Sequence, residues 1–238
     1  IFDKKDAPLL KYCDDDGILV VPVYYVPTIP MLLVNGSSGI GTGWMTDIPS
    51  FNLTDIIANI KRFSNGEKML DMMPYYKNFK GKITQSFDKN GIPIDKTYKS
   101  HGIYTISKDK LVITELPIGV WTDSYKEHLE KLAADKKNIR YYNSYCTDVD
   151  VHFEIFLGES LIDKYDKSRE LFVKTMKLFS VISCKNLVAF NHEGKLVKYD
   201  NVIDILEEYC KVRITKYIER KKYILKDLQN NINLNEIK

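Results

Sequence analysis

No stretch of this sequence stays apolar long enough to cross a bilayer. The longest candidate, Ile18 to Val34, is interrupted by Pro22, Pro27 and Pro30 and carries tyrosines, whereas a spanning helix needs about twenty consecutive apolar residues; no membrane partner is expected. Cysteine is scarce and scattered: Cys13, Cys146, Cys184 and Cys210 form none of the close pairs that structural zinc requires, and reduced, buried thiols are expected instead. The histidines, His101, His128, His152 and His192, are equally dispersed, with no H-E-x-x-H and no cysteine at ligand spacing, so no metal site is expected within the chain. Asp14-Asp15-Asp16-Gly17 sets its carboxylates in succession rather than in the alternation of a calcium loop and reads as a solvated turn. Neither sign of charge dominates, with 35 Lys and Arg against 32 Asp and Glu. The start, Ile1-Phe2-Asp3-Lys4-Lys5-Asp6, has no initiator Met and no apolar run behind a basic opening. It reads as neither a natural beginning nor a signal peptide, and a piece of a longer chain is expected.

What is present fits a packed protein: 44% hydrophobic and 28% charged residues argue against wholesale disorder. Asn52 precedes Leu53, Ile56, Ile57, Ile60 and Phe63 at helical spacing, which predicts a capped amphipathic helix over 53–64. From Gly102 the period changes. Ile103 to Ile106, Leu111 to Leu116, Val151 to Leu157 and Leu187 to Phe190 are short β-branched or aromatic runs and predict strands, with a hairpin loop at Asn191 to Gly194. From 201 to 238 there is no Gly or Pro, and an apolar stripe that includes Leu206, Cys210, Ile214, Ile218, Leu225 and Leu228 predicts one long projecting helix. Residues 211–226 hold Lys211, Arg213, Lys216, Arg220, Lys221, Lys222 and Lys226 against a single acid, Glu219. A solvated face and a nucleic-acid contact are both open there.

The densest signal is Asn35-Gly36-Ser37-Ser38-Gly39-Ile40-Gly41-Thr42-Gly43-Trp44. A Walker loop would need Lys where Thr42 stands, and a dinucleotide fingerprint begun at Gly39 would need a small residue where Trp44 stands, so both nucleotide readings fail. What remains is a close-approaching backbone with one large apolar side chain, Ile40, at its centre. Minor-groove proteins insert such residues between base pairs. A core isoleucine in a tight turn is the alternative.

These residues also carry a resemblance. Tyr24-Tyr25-Val26-Pro27, Ile29-Pro30-Met31, the glycine segment through Trp44 and then Ile48-Pro49 resemble the cleavage and religation core of the type IIA DNA topoisomerases. Gly41-Thr42-Gly43-Trp44 points to the eukaryotic form, since gyrase-type subunits usually carry Ala-Val-Gly-Met there. Tyr76-Lys77-Asn78-Phe79-Lys80-Gly81, Glu115-Leu116-Pro117, Trp121-Thr122, Tyr125-Lys126-Glu127, Lys177-Leu178 and Cys184-Lys185-Asn186 follow in the order of the eukaryotic tower domain, so the resemblance spans essentially the whole chain. One departure is Ile118-Gly119-Val120, where the family commonly has an Arg. Divergence elsewhere suggests a distant eukaryote or a large DNA virus.

The resemblance implies an α+β protein: the end of a winged-helix domain over 1–50, a mixed tower domain over 51–200 and the start of a coiled-coil arm over 201–238. It implies part of an ATP-dependent enzyme that passes one duplex through a transient double-strand break, this fragment binding and bending the cut segment. The nucleophilic tyrosine is expected before Ile1, and Arg140-Tyr141, the only Arg-Tyr pair, is not taken as its equivalent. No catalytic residue or metal ligand is therefore expected here; Mg2+ and ATP belong to the full-length enzyme. Ile40 is implied as the DNA-intercalating residue, and Gly39, Gly41, Thr42, Lys77, Lys80 and Lys82 as DNA-binding residues. The expected partners are double-stranded DNA and a second copy of the full-length protein, in the nucleus or, for a virus, a cytoplasmic factory. The rival readings are a non-catalytic architectural DNA-binding module and a gyrase-type subunit.

Overall fold

The computed structural model describes residues 1–236; positions 237 and 238 of the expected arm lie outside the described residues. Its contacts divide the chain into two compact units, one built from 1–73 together with 184–238, the other from 74–183. Residues 51–73 and 184–200 fall in the unit that also holds the chain's two ends.

In the 1–73/184–238 unit a 3-10 turn (Lys4–Leu9) precedes β1 (Tyr12–Asp15), β2 (Ile18–Pro22), α1 (Met31–Asn35), β3 (Ser37–Gly41), β4 (Trp44–Ile48) and α2 (Leu53–Ser64). The 74–183 unit holds β5 (Lys82–Phe87), β6 (Pro93–His101), β7 (Ile103–Ser107), β8 (Lys110–Glu115), α3 (Thr122–Ala133), β9 (Ile139–Ser144), β10 (Phe153–Leu157), α4 (Glu159–Lys167), α5 (Arg169–Thr175) and β11 (Phe179–Ser183). The chain then returns to the first unit with β12 (Val188–Phe190), β13 (Leu196–Lys198) and α6 (Val202–Glu236). The expected α+β class is what the structure has.

The core of the 74–183 unit lies on an antiparallel sheet of order β7-β8-β10-β9. Strand alternation sends Leu111 and Ile113 of β8 and Phe153, Ile155 and Leu157 of β10 to one face. There they meet Tyr125 and Leu129 of α3, Leu161 of α4 and Phe172 of α5. Each such side chain taken out of water contributes about 1.5–3 kcal/mol. The buried Tyr125 hydroxyl donates to the Met176 carbonyl at 2.8 Å, and burial raises its phenol pKa far above the ordinary value. A second sheet, β11-β6-β5, is also antiparallel.

In the other unit α2 begins as its cap predicts, with the Asn52 side chain accepting from the Thr54 N–H at 2.8 Å. The first turns of α6 bury Ile205, Leu206 and Cys210. Next along the same helix comes Arg213, only 4% exposed, whose Nη1 donates to Asp6 Oδ2 at 2.6 Å and to the Val26 carbonyl at 3.2 Å. Arg220 Nε lies 2.9 Å from Asp6 Oδ1, and its Nη1 pairs with Asp3. Both guanidinium groups lie over the ring of Tyr217, at 4.1 and 4.9 Å from its centroid. The 3-10 turn is thereby clamped to the long helix.

That clamp takes Arg213 and Arg220 out of the cationic face read in residues 211–226, while Lys221, Lys222 and Lys226 stay exposed. Arg213 and Arg220 hold the fold together, and Lys216 and Lys211 pair with Glu219 and Glu207. The cysteines differ from expectation at one end of the chain: Cys184 and Cys210 are buried, Cys146 is half-buried, and Cys13 on β1 is exposed. Asp16 and Gly17 take φ values of 51° and 84° in the β1–β2 turn, where the Gly17 N–H donates to Asp14 Oδ1 at 2.7 Å. This is a tight hairpin of the Asp-Gly type.

Candidate nucleic-acid interface

The glycine segment is a hairpin rather than an open loop. β3 and β4 pair in register Ser37 with Ile48, Ser38 with Asp47, Gly39 with Thr46, Ile40 with Met45 and Gly41 with Trp44, joined by the two-residue turn Thr42-Gly43. Three of its glycines have local causes. Gly36 ends α1 at φ 71°, and a Cβ there would stand 2.6 Å from the Ile48 carbonyl oxygen. Gly41 leaves room for the Trp44 indole, whose Cε2 a Cβ would approach to 2.7 Å, and Gly43 supplies the φ of 82° that the turn needs. Gly39 faces open space and has neither a close neighbour nor a positive φ to require it.

Alternation along the pair puts Trp44, Thr46 and Ile48 on one face and Ile40 and Met45 on the other. The first face is anchored: Ile48 and Thr46 are buried, and Trp44 packs edge-on against Phe190 of β12 at 6.1 Å. The Asp47 N–H donates to the Asn186 carbonyl at 2.9 Å. The second face is bare. Ile40 is 91% exposed, the most exposed large apolar residue among those described, and Met45 beside it is 44% exposed. Ile40 is therefore no core residue. A stiff two-stranded ribbon holds it one residue from the tip.

In the other unit Lys77, Lys80 and Lys82 are all exposed. Lys80 is engaged with Asp150 at 3.3 Å, a pair open to solvent on both sides and so worth little. Gly81 is required here: a Cβ would meet the His101 carbonyl oxygen and the Phe79 ring. Arg140 pairs with Asp109 and donates to the Leu157 carbonyl at 3.0 Å, while Tyr141 stacks on Phe156 at 4.2 Å; both serve the β7-β8-β10-β9 sheet. Among the described residues no cluster of three or more His, Cys, Asp or Glu could hold a metal ion, and no helix is long and apolar enough to cross a membrane.

The sequence reading did not single out Lys99 and His101, which the sheet brings to Lys82. β5 pairs Lys82 with His101 and Thr84 with Lys99. Burial, then Lys99 and Lys82, push the His101 pKa below its ordinary value. The signal was the period-two placing of Thr97, Lys99 and His101, hidden because the run lacks the apolar alternation that marks a strand.

The whole chain, residues 1–238, matches the family model for the A subunit of DNA gyrase/topoisomerase IV. DNA topoisomerase 2 of Plasmodium falciparum is 41% identical over 232 residues, which are 96% of this chain and 16% of that protein. A mitochondrial DNA topoisomerase 2 of Dictyostelium discoideum is 38% identical over 235 residues, 98% of this chain and 17% of that protein. The crystal structure of the Plasmodium falciparum topoisomerase II DNA-binding, cleavage and re-ligation domain superimposes with a TM-score of 0.87 at 40% identity, covering 96% of this chain and 30% of that one. The chain thus spans about a sixth of the length of the curated relatives it matches.

Proposed function

Because the chain belongs to the DNA gyrase/topoisomerase IV A-subunit family, with eukaryotic DNA topoisomerase 2 enzymes as its relatives, we propose that it is part of the breakage-reunion core of an ATP-dependent type IIA topoisomerase, in which it binds and bends the duplex that is cut. The parent would pass a second duplex through the break as a homodimer, in the nucleus or, for a virus, a cytoplasmic factory. Its Mg2+, its ATP and its nucleophilic tyrosine would be held by other segments of that parent. Residues 1–50 are read as the end of a winged-helix domain and 201–238 as the start of an arm.

The observation that carries the reading is the 91% exposure of Ile40 on an anchored ribbon. An isoleucine held out in this way suits entry between base pairs from the minor groove. Gly39 leaves the backbone bare beside it, the Thr42 hydroxyl lies in the turn, and Gly41 lets Trp44 brace the ribbon from behind. Unstacking a step costs a few kcal/mol, which the contacts available only to bent DNA offset. Lys77 and Lys82 are read as phosphate contacts, joined by Lys80 when it leaves Asp150.

In the full-length parent, Ile40→Ala is expected to reduce DNA bending, read by energy transfer between dyes on the duplex ends, and to lower cleavage. ATP hydrolysis without DNA is expected to stay near normal. Undiminished bending would overturn the wedge.

A further inference from the structure

Residues 24–32, β12 and the first turns of α6 enclose a cavity of about 350 Å3, wholly within the 1–73/184–238 unit. Small-molecule sites run from about 300 to 1,000 Å3 and are largely preformed, and these walls are held from outside. The Tyr209 hydroxyl donates to the Pro27 carbonyl at 2.9 Å, which joins the helix to the segment facing it. Phe190 is steadied edge-on by Trp44 at 6.1 Å, and Tyr25 by the ring of Phe2 at 5.1 Å.

The lining is aromatic and carries one acid. Tyr24, Tyr25, Phe190, Tyr199 and Tyr209 supply the rings, and among the described residues Glu208 is the only acid there, with no lysine or arginine beside it in the lining. Its carboxylate accepts from the Tyr199 hydroxyl at 2.7 Å on Oε2, and His192 Nδ1 lies 3.2 Å from Oε1. A carboxylate offers about four lone-pair positions, so some remain for a further donor. Burial opposes its ionisation, but the hydrogen bonds from Tyr199 and His192 outweigh burial and hold its pKa below the ordinary carboxylate value. The cavity thus keeps an anion among rings.

We propose that this cavity binds a small organic cation, an ammonium or quaternary ammonium group carried on an apolar body. Such a cation is drawn both to a carboxylate and to aromatic rings, most strongly where water is excluded. An anion would meet Glu208 unopposed, and a neutral apolar molecule would cover the carboxylate without giving it a partner. The size favours a whole small molecule over one lysine side chain reaching in from another protein, which would leave much of the space empty. Nothing in this site depends on the DNA reading.

Isothermal titration calorimetry on the DNA-free full-length parent tests it with three probes of similar size: benzyltrimethylammonium, the uncharged N,N-dimethylphenylacetamide and the anion phenylacetate. The ammonium is expected to bind about tenfold more tightly than the amide, and phenylacetate not at all. Glu208→Gln, which keeps an acceptor for Tyr199, is expected to erase the preference for the cation. Ala189→Phe, which fills the cavity from its lining, is expected to abolish binding. Equal affinity for the ammonium and the amide overturns the inference, as does an ammonium affinity that neither variant changes, because the probe then sits elsewhere. Tighter binding of Nα-acetyl-trimethyllysine amide than of benzyltrimethylammonium overturns it in favour of a methylated protein partner. If one variant fails to fold, judged by its melting temperature, the other locates the site and the contrast between the probes on the wild type decides.

Discussion

Arg213 holds the Lys4–Leu9 turn to the long helix α6, and it does so from a buried position. Its partner Asp6 is also buried, with 6% of its side chain exposed. Replacing Arg213 by Leu leaves that carboxylate to Arg220 alone and removes one of the two guanidinium groups stacked on Tyr217, a loss expected to cost about 3 kcal/mol in urea denaturation. Arg213→Lys should recover little, since an ammonium neither forks toward two acceptors nor lies flat on a ring. Nothing in the sequence marks this arginine among its cationic neighbours, because Asp6 stands 207 residues away. Helical periodicity reports a face, not what comes to meet it. The thiols separate in the same way. Burial, with Asp47 adding to it, pushes the Cys184 pKa up to about 12, and burial with Glu207 pushes Cys210 to about 11. Only the thiolate reacts, so maleimide at pH 8 is expected to label exposed Cys13 first and the buried pair only on unfolding, as mass spectrometry would show.

Among the elements, α2 was readable to the residue because cap, stripe and length agree, and the β12–β13 hairpin because Gly194 marks its turn at φ 77°. The long helix was legible from its unbroken run without Gly or Pro. Helix α3 was not legible: its N-cap residue, Trp121, makes no side-chain cap, and the helix buries only Tyr125 and Leu129. The β3–β4 ribbon hid for the opposite reason. Ser37 to Gly41 has poor strand propensity, and its pairing comes from the turn and from Trp44 folding back over Gly41. That dependence gives a test in which Ile40 is untouched. In Gly41→Ala the methyl must displace the indole, so Trp44 fluorescence is expected to shift red and DNA bending to fall toward the Ile40→Ala level. Ile40 itself was legible as an isoleucine among glycines, but its exposure was not, since a sequence does not say which face of a ribbon is anchored.

For the molecule as a whole, the resemblance gave the order of the motifs along the chain but not how they gather. The 74–183 unit is an insertion within the other one, whose two pieces complete each other only after the insertion has passed. During synthesis, residues 1–73 leave the ribosome before the helix that buries Asp6 exists, and domains fold as units as they emerge. The inserted unit is expected to reach its protected state first. The outer unit must close a loop as long as the entire insert, which slows it. Ribosome-stalled chains in which residue 190 has just cleared the exit tunnel should therefore resist protease over 74–183 and be cut over 1–73. Release of the full chain should protect both. In the cell this outer unit is a late-closing bracket, its 1–73 piece waiting for its partner for as long as the insert takes to be made.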